Sequence, residues 1–252
     1  MNADRAEAQF WAAFLRNRNV DAGTADDGAV AVAGGYAIYV KETFYQLAFG
    51  LGTARPLSAE DLGVVGEFYG SRGARPRLEL EDEIYARDRA VLDEAGFELA
   101  TLTLARYELS APLEALPDRA VAVRAMTDRT AWVRLVGRAF AEGGEPDETA
   151  RRSHDLSAAA ADGLFVAEVG GVPAGAGAVA VFNGIAFLYA GAVLPEYRGR
   201  GVHPALLQAR AAFGVSLGAS RTTIKTEAGS VAERSIVRAG FERTATIRRL
   251  NA

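Results

Sequence analysis

Arg198-Gly199-Arg200-Gly201-Val202-His203 lies between an apolar run, Phe187 to Val193, and a second apolar stretch that begins at Pro204. The first run reads as a strand. The second reads as a helix from about Pro204 to Leu217, with Leu206, Leu207, Ala211 and Val215 on one face. A glycine-rich turn that feeds a helix N-terminus is a ready-made anion site, because unpaired N–H groups converge there and the helix dipole adds partial positive charge. Glycines let the main chain approach a phosphate closely, and Arg198 and Arg200 can add charge-assisted hydrogen bonds. Pro204 suits the first helical position, where its missing N–H would be unpaired anyway. The stretch reads as a phosphate cradle.

It is neither of the common nucleotide loops. A dinucleotide loop needs G-x-G-x-x-G early in a βαβ unit, and only Gly199 and Gly201 are present. No G-x-x-x-x-G-K-[ST] occurs in the chain. The segment resembles the acyl-CoA loop of the GNAT superfamily of N-acetyltransferases, written (Q/R)-x-x-G-x-(G/A). Arg198 and Gly201 fill the two defining positions, while His203 replaces the closing small residue. Val193-Leu194-Pro195-Glu196-Tyr197 resembles the usual lead-in, and Ala239-Gly240-Phe241 the late helix-to-strand turn. The resemblance covers about residues 119 to 252.

Composition agrees with an ordinary globular chain. The 252 residues carry 28 Lys and Arg against 32 Asp and Glu, a formal charge of −4, and no cysteine. That balance argues against a nucleic-acid partner, which favours a basic stripe. It suits a cationic acceptor such as an amine. The lack of cysteine removes disulfides, thiolate-bound zinc and a thiol nucleophile. The two histidines, His154 and His203, make no metal pattern, so no metal is expected. Asp4, Arg5 and Glu7 open the chain with no apolar core of a signal peptide, and cytoplasm is the expected location. Ala178 to Val193 is apolar enough to mimic a membrane span. Asn183-Gly184 at its middle is instead a hairpin turn between two buried strands, and no membrane partner is expected.

Pro112 and Pro117 interrupt the pattern between Ser110 and Arg119 and suggest a boundary. After it the chain reads as a strand at Val121 to Arg124, helices at Thr127 to Phe140 and Asp147 to Ala160, and strands at Leu164 to Val169, Ala174 to Phe182 and Ile185 to Val193. The cradle and its helix follow, then a strand at Arg221 to Thr226, a helix at Val231 to Arg238 and a strand at Phe241 to Leu250. The first half reads as a worn copy. Ala95-Gly96-Phe97-Glu98 recurs 144 residues later, and Phe44-Tyr45 and Ser58 to Gly70 fall at the same offset on Leu188-Tyr189 and Val202 to Gly214. Gly-Ala-Val-Ala-Val recurs at an offset of 149, which is treated as chance or an indel.

The expected fold is therefore α/β: two tandem GNAT-like acyl-CoA N-acyltransferase domains, each a mixed central sheet flanked by helices. Residues 1–112 would be a degenerate domain without a phosphate loop and 118–252 the acetyltransferase domain. Opposite the cradle the first half reads Gly52-Thr53-Ala54-Arg55-Pro56-Leu57, which lacks the motif. One acyl-CoA site per chain is expected.

The resemblance implies acetyl-CoA, or another acyl-CoA, as co-substrate and direct attack of a small-molecule amine on the thioester. The cofactor set would be Ala192, Val193, Leu194, Arg198, Gly199, Arg200, Gly201, Val202, His203 and Ser230. The Val193 or Leu194 N–H would receive the oxyanion, and Pro195 suits a strand that parts from its neighbour. The family often carries a glutamate on this strand as base. Here Tyr189 is its only titratable side chain, and Glu227 is the nearest carboxylate by topology. The family's tyrosine acid falls on Ile236, with Ser235 beside it as a weak substitute and solvent as the remaining proton source. The family's asparagine falls on Gly229, next to a helix-capping Ser230. His203 at the helix N-terminus is expected to stay neutral, and His154 to be solvated. The acidic run Glu79, Glu81, Asp82, Glu83 reads as a solvated face. A homodimer is allowed for. The alternative is a non-catalytic acyl-CoA-binding or regulatory protein, motivated by the missing glutamate and tyrosine.

Overall fold

The computed structural model describes residues 2–22, 27–110 and 121–252. The expected boundary with Pro112 and Pro117 lies, beyond Ser110, outside the described residues. Contacts divide the chain into two compact units, Met1–Ala105 with Ala245–Ala252, and Arg106–Thr244.

The second unit is built on an antiparallel run of strands. These are β6 (Val121–Ala125), β7 (Gly163–Val169), β8 (Val172–Phe182) and β9 (Ile185–Val193). Their hairpins are tight because the turn residues take left-handed backbone: Gly170 and Gly171 between β7 and β8, and Asn183 and Gly184 at φ 50° and 74° between β8 and β9. The apolar run Ala178 to Val193 is thus two strands and their turn. Among the described residues no helix is long and apolar enough to cross a membrane. β10 (Arg221–Glu227) lies parallel to β9 from Arg221↔Ile185 to Ile224↔Leu188. A parallel neighbour needs a crossover, and α6 (Val202–Ser216) supplies it.

Helices cover both faces of this sheet. α4 (Arg129–Phe140) and α5 (Glu148–Ala159) start where Asp128 and Asp147 accept the N–H groups of Ala131 and Ala150, at 2.9 and 2.7 Å. Trp132 of α4 is fully buried, donates its indole N–H to Phe165 C=O, and packs with Ala176, Ala178 and Ala192. α6 lies against Gly175, Gly177 and Gly191, whose missing side chains leave room for Val202 and Arg210. Its buried face is Leu206, Leu207, Arg210, Ala211 and Gly214, while Val215, expected in that stripe, is 46% exposed. The buried stripe ends at Gly214 and includes an arginine that the fold encloses. α7 (Val231–Arg238) buries Ser235 and Ile236.

In the first unit β1 (Gly28–Val32), β2 (Gly35–Tyr39) and β3 (Gln46–Phe49) are antiparallel, and β4 (Arg77–Glu81) is parallel to β3. α1 (Ala3–Ala22), α2 (Ala59–Gly70) and α3 (Asp82–Glu94) complete it with most of β5 (Glu98–Leu109) and the end of β11 (Glu242–Asn251). β4 and β10, and likewise β5 and β11, begin 144 residues apart, the offset read from the sequence. The Gly-Ala-Val-Ala-Val match is coincidence: its copies fall on β1, which pairs with β2, and on β8, which pairs with β7 and β9. Within the acidic run Glu79 departs from the expected solvated face, while Glu81 and Asp82 are half-buried and Glu83 is exposed. Glu79 is 4% exposed and accepts from Arg249 (2.5 Å), Asp82 accepts from Arg248 (2.5 Å), and Glu81 from Asn2 (3.0 Å). The partners of Glu79 and Asp82 lie in β11 and that of Glu81 near the start of the chain, all too far away for local reading to reach.

Gly214 sets the distance from α6 to the sheet, because a Cβ there would stand 2.4 Å from the Ala186 Cβ. Gly214→Val is expected to destabilise the second unit by about 1–3 kcal/mol, measured as a lowered midpoint in chemical denaturation.

Candidate acyl-CoA site

β9 and β10 stop pairing after Leu188 and Ile224, yet both strands run on, to Val193 and Glu227. The edge of β9 from Tyr189 onward therefore faces an opening instead of a ladder. Leu194 N–H is not available there, since it is donated to Ala174 C=O at 2.9 Å. An antiparallel ladder alternates its donors between the two edges, so Val193 N–H points to the side of β9 that has parted from β10. Of the two oxyanion donors expected from sequence, Val193 is the one left by this geometry.

The chain leaves β9 through Leu194, forms a short 3-10 turn at Pro195–Tyr197, and reaches α6 through Arg198 to Gly201. Gly199 and Gly201 take φ 76° and 78°, a region that costs glycine nothing. Gly201 is the N-cap and no side chain caps the helix. The first intrahelical bond is Ala205 N–H to Gly201 C=O (3.2 Å), so the N–H groups of Val202 and His203 precede it, and Pro204 has none. A Cβ built on Gly199 meets nothing within 4 Å. The loop presents open backbone donors at a positive dipole end, which fits a pyrophosphate.

The two arginines of the loop each engage a neighbouring side chain. Arg198 makes a bidentate pair with Glu142, at 2.7 and 2.9 Å, which raises the guanidinium's pKa and lowers the carboxyl's. The pair ties the turn before α6 to the loop after α4. Arg200 lies over the Tyr197 ring at 5.6 Å and is exposed. His203 is neutral at physiological pH: burial first, and then the charge of Arg210, pulls its pKa down to about 4. Its Nδ1 is buried and finds no partner among the described residues.

The remaining candidates scatter around this core. Ala192 is buried and pairs with Ala176. Tyr189 donates its hydroxyl to Ser157 C=O of α5 at 3.1 Å. Glu227 ends β10 with its side chain exposed. Ser230 caps α7, accepting Glu233 N–H at 3.1 Å. Ser235 is buried one turn on, beside the fully buried Ile236. His154 is not solvated: it is 8% exposed, stacks on Phe140 at 5.3 Å, and burial lowers its pKa. α5 carries polar residues on its outer face, and a polar composition hid the inward position of this one.

Two features escaped the sequence. Tyr107 of β5 donates its hydroxyl to Glu233, which also accepts Gly229 N–H, and burial together with Glu233 lifts the phenol to about 12. Arg210 was the second, signalled only by a charge in the apolar stripe of α6. Among the described residues no group of three or more histidine, aspartate or glutamate side chains is placed to hold a metal.

The matching helix of the first unit is closed. Ser58 and Asp61 form a capping box on α2, and the Asp61 carboxylate takes both the Arg55 guanidinium (2.6 and 2.7 Å) and Ser58 N–H (2.9 Å). Leu57 N–H goes to Asp88 (3.1 Å). A side-chain carboxylate occupies the place where the second unit offers bare N–H groups.

Residues 130–241 match the model of the acetyltransferase (GNAT) family, and this stretch is a GNAT acetyltransferase domain. Among solved structures the chain is similar to a GCN5-related N-acetyltransferase from Kribbella flavida, at 17% identity and TM-score 0.65 over 100% of this chain and 96% of that one. It is similar to a GCN5-related N-acetyltransferase from Sphaerobacter thermophilus, at 16% identity and TM-score 0.58 over 82% and 71%. A tandem GNAT protein from the clavulanic acid biosynthesis pathway aligns at 13% identity and TM-score 0.57 over 82% and 74%. These likenesses show the fold, a mixed α/β arrangement of tandem GNAT-like domains. No curated protein matches the chain.

The Arg55 guanidinium first, helped by Ser58, holds the Asp61 carboxyl at about 2, below its ordinary 3.8. A carboxyl lowered in this way stabilises the fold above its unfolded pKa, and that stability is lost as pH falls toward 2. Arg55 is half exposed and screened. Asp61→Ala is expected to cost about 1–2 kcal/mol near neutral pH and to flatten the acid limb of a stability–pH profile measured by urea unfolding.

Proposed function

We propose that this protein is an acetyl-CoA-dependent N-acetyltransferase acting on a small-molecule amine, with one acyl-CoA site, in the second unit. The observation that carries the reading is the open N-terminus of α6 at the mouth of the β9–β10 divergence, set against the self-capped α2. The domain division expected from sequence, 1–112 and 118–252, is proposed as the ancestral one, with a first domain that binds no acyl-CoA.

In this reading acetyl-CoA supplies an activated acyl carbon and a thiolate leaving group. The backbone of Gly199, Arg200, Gly201, Val202 and His203 holds the pyrophosphate, and Ala192 to Leu194 lines the pantetheine. Val193 N–H faces the thioester oxygen, where a preorganised donor contributes about 3–4 kcal/mol to the barrier reduction. Glu227, solvent-connected at the end of β10, takes the proton from the attacking amine directly or through water. Tyr189, fixed to α5 by its hydroxyl, shapes the acceptor side. Ser235 stands where a weak donor to the departing sulfur is wanted, and solvent completes that protonation. Ser230 keeps α7 capped beside the opening. The location expected for such an enzyme is the cytoplasm.

A non-catalytic acyl-CoA binder is the second reading, favoured by Ile236, which occupies the family's acid position and is fully buried. Calorimetric titration with acetyl-CoA is expected to give one site per chain, and Gly201→Glu, which fills and charges the cradle, to abolish it. Amine-dependent release of CoA across an acceptor panel then separates enzyme from binder. No binding by the unmodified protein would overturn both.

A further inference from the structure

Arg210 is fully buried, and among the described residues it pairs with no carboxylate. Burial lowers its pKa only to about 10, so it is charged at physiological pH. Its contacts are backbone carbonyls on three elements. Nε donates to Leu206 C=O in α6 (3.0 Å), and Nη1 donates to Ala178 C=O in β8 (3.3 Å) and Tyr189 C=O in β9 (3.1 Å). Nη2 is buried without a partner. An uncompensated cation in a protein interior is strongly unfavourable, and an apolar side chain of the same length would fit such a site more stably.

The surroundings are shaped to keep it. The β8–β9 register slips between Ala176 and Ala178, so Gly177 is left opposite a bulge at Ala190 and Gly191. Ala190 sits at φ 48°, which a residue with a Cβ adopts only under constraint. A Cβ on Gly177 would stand 2.7 Å from the guanidinium carbon, and one on Gly191 3.0 Å from Nη2. Tyr189 C=O is half of the peptide that enters Ala190, so the bond from Nη1 fixes the plane in which the bulge starts. From that bulge β9 runs straight into Ala192 and Val193, along the edge that has parted from β10. Strain of this kind, held by an internal tie, concentrates at functional sites.

We propose that Arg210 is a positioning residue for acyl transfer: it clamps the β9 bulge to α6, and so holds the donor edge of β9 at a fixed distance from the phosphate cradle with a positive charge behind it. His203, seven residues earlier on the same helix, is kept neutral by burial first and by that charge second. The clamp joins the two halves of the site, one reading phosphate and one reading the thioester. Charge that develops on the thioester oxygen during attack meets a fixed cation whose field is little screened in a dry interior.

The inference rests on acetyl-CoA being the ligand, and the test separates the two ideas. Isotope-edited infrared spectra of [1-13C]acetyl-CoA, free and bound to the full chain, report how strongly the protein polarises the thioester carbonyl without any acceptor. The bound band of the unmodified protein is expected below the free one. Arg210→Met is expected to shift it back by more than half, to leave affinity for CoA itself unchanged, and to leave the melting temperature equal or higher. Arg210→Lys, which keeps the cation, is expected to retain most of the shift. The proposal is overturned if Arg210→Met keeps the full shift, or if it melts lower or fails to fold, since the arginine would then serve the fold alone. Failure of the unmodified protein to bind acetyl-CoA in the same titrations would instead sink the proposed function.

Discussion

The parting of β9 from β10 after the Leu188 and Ile224 pair is the constraint from which the second unit takes its form. A parallel pair held along its full length would spend on the ladder every backbone donor of the two facing edges. Here the pairing covers four residues, and the strands then separate with Val193 N–H turned to the gap. The crossover that makes the pair parallel is α6, so the helix whose N-terminus is open necessarily begins beside the gap. The phosphate cradle and the strand edge are thus two results of one topological requirement.

The first unit keeps the same plan with a closed helix start. α2 follows β3 as α6 follows β9, but Ser58, Asp61 and Arg55 satisfy the helix start from within. Closing a helix N-terminus needs only one well-placed carboxylate, and leaving it open forgoes that stabilisation. The difference between the two units is therefore a difference in capping chemistry more than in architecture.

Much of this was readable because the decisive signals are local. Asn183-Gly184, the Arg198 to His203 turn and Ser230 before Val231 depend on residues close together in the chain, and the 144-residue offset on short local matches; each corresponds to an observed turn, cap or strand start. What stayed hidden depends on partners far apart. Glu79 looks like a solvated acid until Arg249 arrives from β11. His154 looks exposed until Phe140 covers it. Arg210 looks like a surface arginine on α6, and only the facing glycines of β8 and β9 reveal that it is enclosed. Arg198 belonged to a motif that suggested a free charge, and Glu142, 56 residues earlier, takes it.

The assignment of Ala245–Ala252 to the first compact unit bears on how the chain matures during synthesis. β4 pairs with Ile247–Asn251, about 170 residues downstream. The nascent first unit therefore waits, with one edge of β4 unpaired, through translation of nearly the whole second unit. An unpaired edge is a template for wrong partners, and synthesis at roughly 5–20 residues per second makes the wait many seconds long. That edge stays open to other strands until β11 emerges.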